Sequence, residues 1–264
     1  MDKVNLAKER NINVSVQPNI EKDISSSDWL FFNSREDYES AIVLLNENER
    51  NLSLFEQGLQ FTSMRCALSE KQRESIGVED DLLATLLNPD GFIRIGNFIF
   101  KIDIVNNSAI VLDVNNGNEK RVFSIDDNVL DILFNKEESY ESKGSNPDPV
   151  VYEFESSPKS KCKVVYQRAA VYFSLLSKIN KPGVISAPEV EIYYSTDPGT
   201  YTRNRNNATQ QTFAAQSDGG DGNSYQYRPY SAAVGLKQFY MSTFFNCIDY
   251  SPYYSDAVRL TISK

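Results

Sequence analysis

The stretch Asp80 to Asp103, DDLLATLLNPDGFIRIGNFIFKID, constrains the fold more than any other part of the chain. Asp80 and Asp81 stand where acidic residues favour a helix N-terminus. Leu82, Leu83, Leu86 and Leu87 follow as an apolar stripe at helical spacing. Asn88-Pro89-Asp90-Gly91 then stops the helix, because proline presets φ and glycine tolerates a tight exit. Two alternating runs come next, split by Gly96-Asn97, a pair suited to a two-residue hairpin. Phe98, Phe100 and Ile102 share one face, and Ile99, Lys101 and Asp103 the other.

The surrounding sequence predicts a matching module over 28–135. Trp29 to Phe32 is a short apolar strand, and Asn33 or Ser34 caps a helix with Glu36 and Asp37 in capping-box range. Tyr38, Ala41, Ile42 and Leu45 form its buried stripe. Further helical stretches carry Leu52, Phe55 and Leu59, then Phe61, Met64 and Leu68. Ala109 to Asp113 reads as a third strand. Ser124 is expected to cap a helix bearing Ile125, Val129, Ile132 and Leu133. Residues 1–27 are polar and read as a flexible N-terminal arm. Residues 136–160 are charged, Ser-rich and carry three prolines, Pro147, Pro149 and Pro158, so they read as a linker. Beyond it, 161–264 has strand character at 190–194, 238–248 and 258–262. Residues 161–179 fit a strand or a helix, and their β-branched and aromatic content favours the strand. The expected fold class is α+β: a helical N-terminal module with a small antiparallel sheet, followed by an antiparallel β-sandwich-like domain.

Composition narrows the chemistry. The chain has no histidine, which removes Ser-His and Cys-His nucleophiles and every His-containing zinc site. Three cysteines cannot make a four-thiolate site; Cys162 and Cys247 could bridge, leaving Cys66 free, or all three could be ordinary small apolar residues. A net charge of −9 argues against nucleic acid as a partner, which would need a basic face. No run approaches the roughly 18 apolar residues of a membrane span. MDKVNLAKERNINV has no apolar export-signal core, which predicts either a cytosolic protein or a mature fragment.

Leu30-Phe31-Phe32-Asn33-Ser34-Arg35-Glu36-Asp37-Tyr38 and Leu59-Gln60-Phe61-Thr62-Ser63-Met64-Arg65 resemble the N-terminal half of uncharacterised Bacteroidetes secreted proteins and lipoproteins. Asp81 to Gly91 running into Ile95 to Lys101 adds to the likeness, as does Tyr166 to Leu175 toward their β-rich second half. The resemblance covers about 30–180. It implies an extracytoplasmic setting, at the cell surface or in the periplasm, with a lipid anchor in the full-length precursor. It assigns no activity and no site residues.

Candidate sites fall in the last third of the chain. Asp218-Gly219-Gly220-Asp221-Gly222-Asn223 gathers oxygen ligands, so calcium at Asp218, Asp221 and Asn223 is conceivable, although the spacing departs from an EF-hand; a surface loop explains it equally. Glu189 and Glu191 share a strand face and could serve as paired carboxylates of a glycan hydrolase, or lie on a solvated edge. Asp197, beside Pro198-Gly199, reads as a turn residue. Tyr193, Tyr194, Tyr201, Tyr225, Tyr227, Tyr230, Tyr240, Tyr250, Tyr253 and Tyr254 crowd this region; such rings suit sugar stacking, protein recognition or sheet packing. Tyr225, Tyr227 and Tyr230, beside the Gly-rich loop, are expected to be exposed. With Tyr201, Arg203 and Arg205 they form the expected ligand contact. The resulting functional expectation is a non-enzymatic binding or surface-assembly protein for a glycan or protein ligand. No cofactor is expected, and a carboxylate-dependent glycan hydrolase is the alternative.

Overall fold

The computed structural model describes residues 6–18, 27–135, 146–154, 160–181, 190–250 and 253–264. The chain divides into two compact units. The first comprises Met1–Glu141 with two later segments, Arg168–Phe173 and Ser231–Gly235; the second holds the rest.

The first unit is α+β. Its elements in chain order are α1 Leu6–Glu9, β1 Val14–Gln17, β2 Trp29–Phe32, α2 Arg35–Glu47, α3 Leu52–Leu59, α4 Met64–Ala67, α5 Glu70–Ser75, α6 Asp81–Leu86, β3 Phe92–Ile95, β4 Phe98–Asp103, β5 Ser108–Asp113 and β6 Glu119–Ser124. The six strands pair in sequence order, β1-β2-β3-β4-β5-β6. All pairs are antiparallel except β2–β3. That pair is parallel because the chain returns through α2 to α6, the long crossover parallel strands require. Ser34 caps α2 by accepting from the Asp37 amide at 3.1 Å. Asp80 caps α6 through the Leu82 amide at 2.9 Å. Asn88 then closes the turn, its Oδ1 accepting from the Phe92 amide at 2.7 Å. Gly91 holds φ +84, where a Cβ would stand 2.8 Å from the Ile102 carbonyl.

One face of this sheet and the helices bury Leu30, Phe32, Tyr38, Ile42, Leu83 and Phe100. Arg35 and Asp131 form a buried ion pair at 2.5 Å. The segment 168–173 belongs to the same core: Ala170 and Tyr172 are buried in it, the Tyr172 hydroxyl donates to Asp80 at 2.8 Å and the Tyr38 hydroxyl to the Val171 carbonyl at 3.1 Å.

Three local expectations differ. In the expected flexible arm, β1 pairs with β2, and the Asn13 amide donates to Asp37 at 2.8 Å. In the expected linker, Val150–Glu153 is a strand. The helix expected from Ser124 starts late: among the described residues helical backbone begins at Val129 and is π-helical at Asp131–Asn135. There the Ile125 carbonyl accepts from Ala170, and the Val129 amide donates to Ala170, so these groups are unavailable for helical bonding.

The second unit is a two-sheet β structure. Its strands are β7 Val150–Glu153, β8 Lys161–Arg168, β9 Phe173–Asn180, β10 Val190–Thr196, β11 Gly199–Arg203, β12 Gln211–Phe213, β13 Gln216–Gly220, β14 Ser224–Ala232, β15 Leu236–Tyr250 and β16 Tyr253–Ser263. One sheet has the order β14-β9-β8-β7. In the other, β15 is the centre: β16 lies along one edge, and β10 and β11 follow each other along the opposite edge. The step from Thr196↔Thr243 to Thr200↔Tyr240 sets four residues against three. β10 and β11 are therefore one strand with a bulge at Asp197-Pro198. β13 and β12 continue outward against β10 and β11. The sheets face each other through Tyr166 against Phe239, with ring centroids 4.7 Å apart, and through Ser177 and Thr196, whose hydroxyls are 3.3 Å apart.

Candidate functional site

Strand alternation decides which side chains leave the sandwich. Along β10 the burial alternates, so Val190, Ile192, Tyr194 and Thr196 point inward while Glu191, Tyr193 and Ser195 point outward. The register then fixes their neighbours. Ser217, Ser195, Phe244 and Arg259 form one row across four strands. Gly219, Tyr193, Asn246 and Ala257 form the next. Glu191, Ile248 and Ser255 follow, and Tyr250 faces Tyr253 at the end. The result is an outward aromatic face: Phe244 is 38% exposed, Tyr250 49% and Tyr253 76%.

A shallow open depression of about 420 Å³ lies in this face, lined by Tyr193, Ser195, Ser217, Asp218, Phe244 and Asn246. Its shape depends on a glycine. A Cβ on Gly219 would stand 2.3 Å from Tyr193 Cδ1, so the Tyr193 ring lies flat against β13 only because residue 219 has no side chain. The Tyr193 hydroxyl donates to Glu191 Oε2, which also accepts from the Tyr250 hydroxyl at 2.8 Å. These two bonds, Tyr193 first, hold the Glu191 carboxyl below its ordinary range, and the shared carboxylate pushes the Tyr193 hydroxyl up to about 12. Ser255 donates to Asn246 Oδ1 at 3.2 Å. Arg259, 5.9 Å from the Phe244 ring, is paired with Asp197. The face therefore offers flat rings, an amide, hydroxyls and the carboxylates of Glu191 and Asp218.

The residues expected to make the ligand contact lie elsewhere. Tyr230 is buried, only 4% exposed, because its parity on β14 turns it between the sheets; its ring packs 5.0 Å from Tyr201, and burial raises its hydroxyl pKa. The Tyr225 hydroxyl accepts from the Gly222 amide at 3.0 Å, and the Tyr227 hydroxyl donates to the Ala214 carbonyl at 3.3 Å. Both are half-buried and serve neighbouring loops. Arg203 ends β11, exposed, with Arg205 just beyond it. Tyr201 and Tyr230 thus meet as packing, and Arg203 and Arg205 lie close enough to act on the Tyr230 hydroxyl, so the structure gathers these four of the six expected residues.

At the Gly-rich loop, the Lys181 ammonium donates to the Asp221 carbonyl at 2.6 Å, and Asp218 Oδ1 accepts from the Gly219 amide at 2.9 Å. The Asp221 carbonyl is thus taken by an ammonium group, and no group of three or more metal-ligating side chains occurs among the described residues. Glu189 lies outside the described residues. Cys162 and Cys247 are buried and form no disulfide; the Cys247 thiol donates to Ser160 at 3.4 Å, and burial pushes the Cys162 thiol up to about 12. Phe244 and Asn246 were missing from the sequence expectation. The period of two through Glu191, Tyr193 and Ser195, and through Phe244, Asn246, Ile248 and Tyr250, is the signal that points to them.

No protein-family model matches the chain, and no curated protein matches it.

Proposed function

We propose that this chain is a non-enzymatic binding protein whose second unit takes a neutral glycan on the outer face of the β10–β15 sheet. The observation that carries this reading is the open aromatic depression built from Tyr193, Phe244 and Asn246. Aromatic faces pack against the C–H surfaces of sugar rings, while Asn246, Ser195, Ser217 and the Glu191 carboxylate offer hydrogen bonds to their hydroxyls. The charge pattern supports a neutral ligand, since Glu191 is held ionised and Arg259 is already paired with Asp197. It also leaves Glu191 unsuited to be the proton donor of a glycosidase, which needs a raised pKa, as Glu191 is shifted the other way. The extracytoplasmic setting and the lipid anchor of a precursor are proposed from the resemblance over 30–180. A protein ligand is the second reading, favoured by β16, which among the described residues pairs only with β15 and so leaves a strand edge.

The test is a screen of neutral and acidic oligosaccharides against the full chain, repeated with Phe244→Ala and Tyr193→Ala. Loss of one stacking ring should weaken a detected glycan about tenfold. Binding of acidic glycans alone, or affinity indifferent to both substitutions, would overturn the proposal.

A further inference from the structure

The N-terminal sheet carries a second apolar face. Its helix-covered side holds Leu30, Phe32, Ile93, Phe100 and Val111. On the reverse, the register aligns Arg94, Ile99, Leu112 and Lys120 in one row across four strands. Phe92, Lys101, Ile110 and Val122 make the next row. A depression of about 180 Å³ lies between them, floored by Phe92, Ile99, Ile110 and Leu112 and flanked by Lys101 and Lys120. Outer sheet faces are usually polar; this one alternates hydrocarbon with cations on a chain whose net charge is −9.

The cations differ in how far they are already used. Arg94 stacks 4.4 Å over Phe31 and donates to the Gly96 carbonyl and to Gln17. The Lys101 ammonium lies 5.5 Å from the Phe92 ring centroid, and neither it nor Lys120 has an ion pair among the described residues. Asp103, the acid on the same face of β4, is occupied by Asn106 at its own turn. Beside Phe92, the buried indole N–H of Trp29 has no acceptor among the described residues. Two uncompensated ammonium groups over an apolar floor select a ligand that brings carboxylates and aliphatic carbon together. A second copy laid face to face would set lysines against lysines.

We propose that this face docks an acidic, extended segment of a partner protein, with aliphatic side chains in the depression and carboxylates on Lys101 and Lys120. Trp29, the only tryptophan, reports on it. The test titrates the full chain with a synthetic peptide of alternating glutamate and leucine, and in parallel with its lysine–leucine counterpart, following Trp29 emission. The glutamate peptide should give a saturable change that weakens as salt rises. Lys101→Glu with Lys120→Glu should weaken it about tenfold, and the paired Gln substitutions by less, with unchanged circular dichroism. An equal response to the lysine peptide, or none to either, would overturn the proposal. So would a response only to phosphatidylserine vesicles, or self-association abolished by the same substitutions.

Discussion

Replacing Gly219 with alanine should damage both the sheet and the candidate site, by an amount the geometry sets. The added Cβ would stand 2.3 Å from Tyr193 Cδ1, 2.6 Å from the Ile192 carbonyl oxygen and 2.7 Å from Tyr193 Cα. Only the first of these can yield by a ring rotation, because the other two are backbone. Ordinary contact needs roughly 3.4 to 4 Å, so β13 has to retreat from β10 by about 1 Å. Overpacking of this kind costs about 1–3 kcal/mol, offset by about 0.4–1 kcal/mol from the stiffer unfolded chain, leaving a loss of about 1–2 kcal/mol. The Tyr193 ring must also leave its seat, which breaks its bond to Glu191. Two assays separate these effects. Urea unfolding reads the stability, and ring-labelled tyrosine NMR against pH reads the hydroxyl, which should fall from about 12 toward its ordinary 10.0. A variant that unfolds at the wild-type urea concentration and keeps Tyr193 near 12 would refute the claim that this glycine seats the ring.

Other outcomes follow from the same interactions. Glu191→Gln should lower the Tyr193 titration without touching the core, as the carboxylate is its main cause. Because the folded-state pKa is raised, the stabilisation from that hydroxyl is complete below pH 10.0 and lost as pH rises through about 12, so Tyr193→Phe should make the alkaline loss of stability smaller, with the buried Tyr38 and Tyr230 supplying the remainder. Arg35→Met removes one side of the buried ion pair with Asp131 and should cost about 3 kcal/mol in urea unfolding. Alkylation of the native protein, followed by mass spectrometry, should mark exposed Cys66 well before Cys162 and Cys247, which react only on unfolding.

What could be read without coordinates was local. The Asp80 cap, the Asn88 turn and the Gly96-Asn97 hairpin rest on bonds within a few residues, and each appears as the residue types dictate. β1 was legible too, since Val14 and Val16 alternate with Ser15 and Gln17, but the polar surroundings masked it. The helix expected from Ser124 begins only at Val129, because the Ile125 carbonyl and the Val129 amide pair with Ala170, a residue at φ 60 with no glycine to announce the bend. The site was hidden for a related reason. Tyr230 and Phe244 are equally aromatic in sequence; only the parity of β14 and the pairing of β10 with β15 place one inside and the other outside.

The most direct test of the proposed binding face is to map, by NMR chemical-shift perturbation of the full chain, where a neutral oligosaccharide from the screen lands. The account predicts perturbations centred on Tyr193, Phe244 and Asn246, extending to Tyr250 and Tyr253. Perturbations centred instead on Tyr225 and Tyr227, with Phe244 silent, would contradict it.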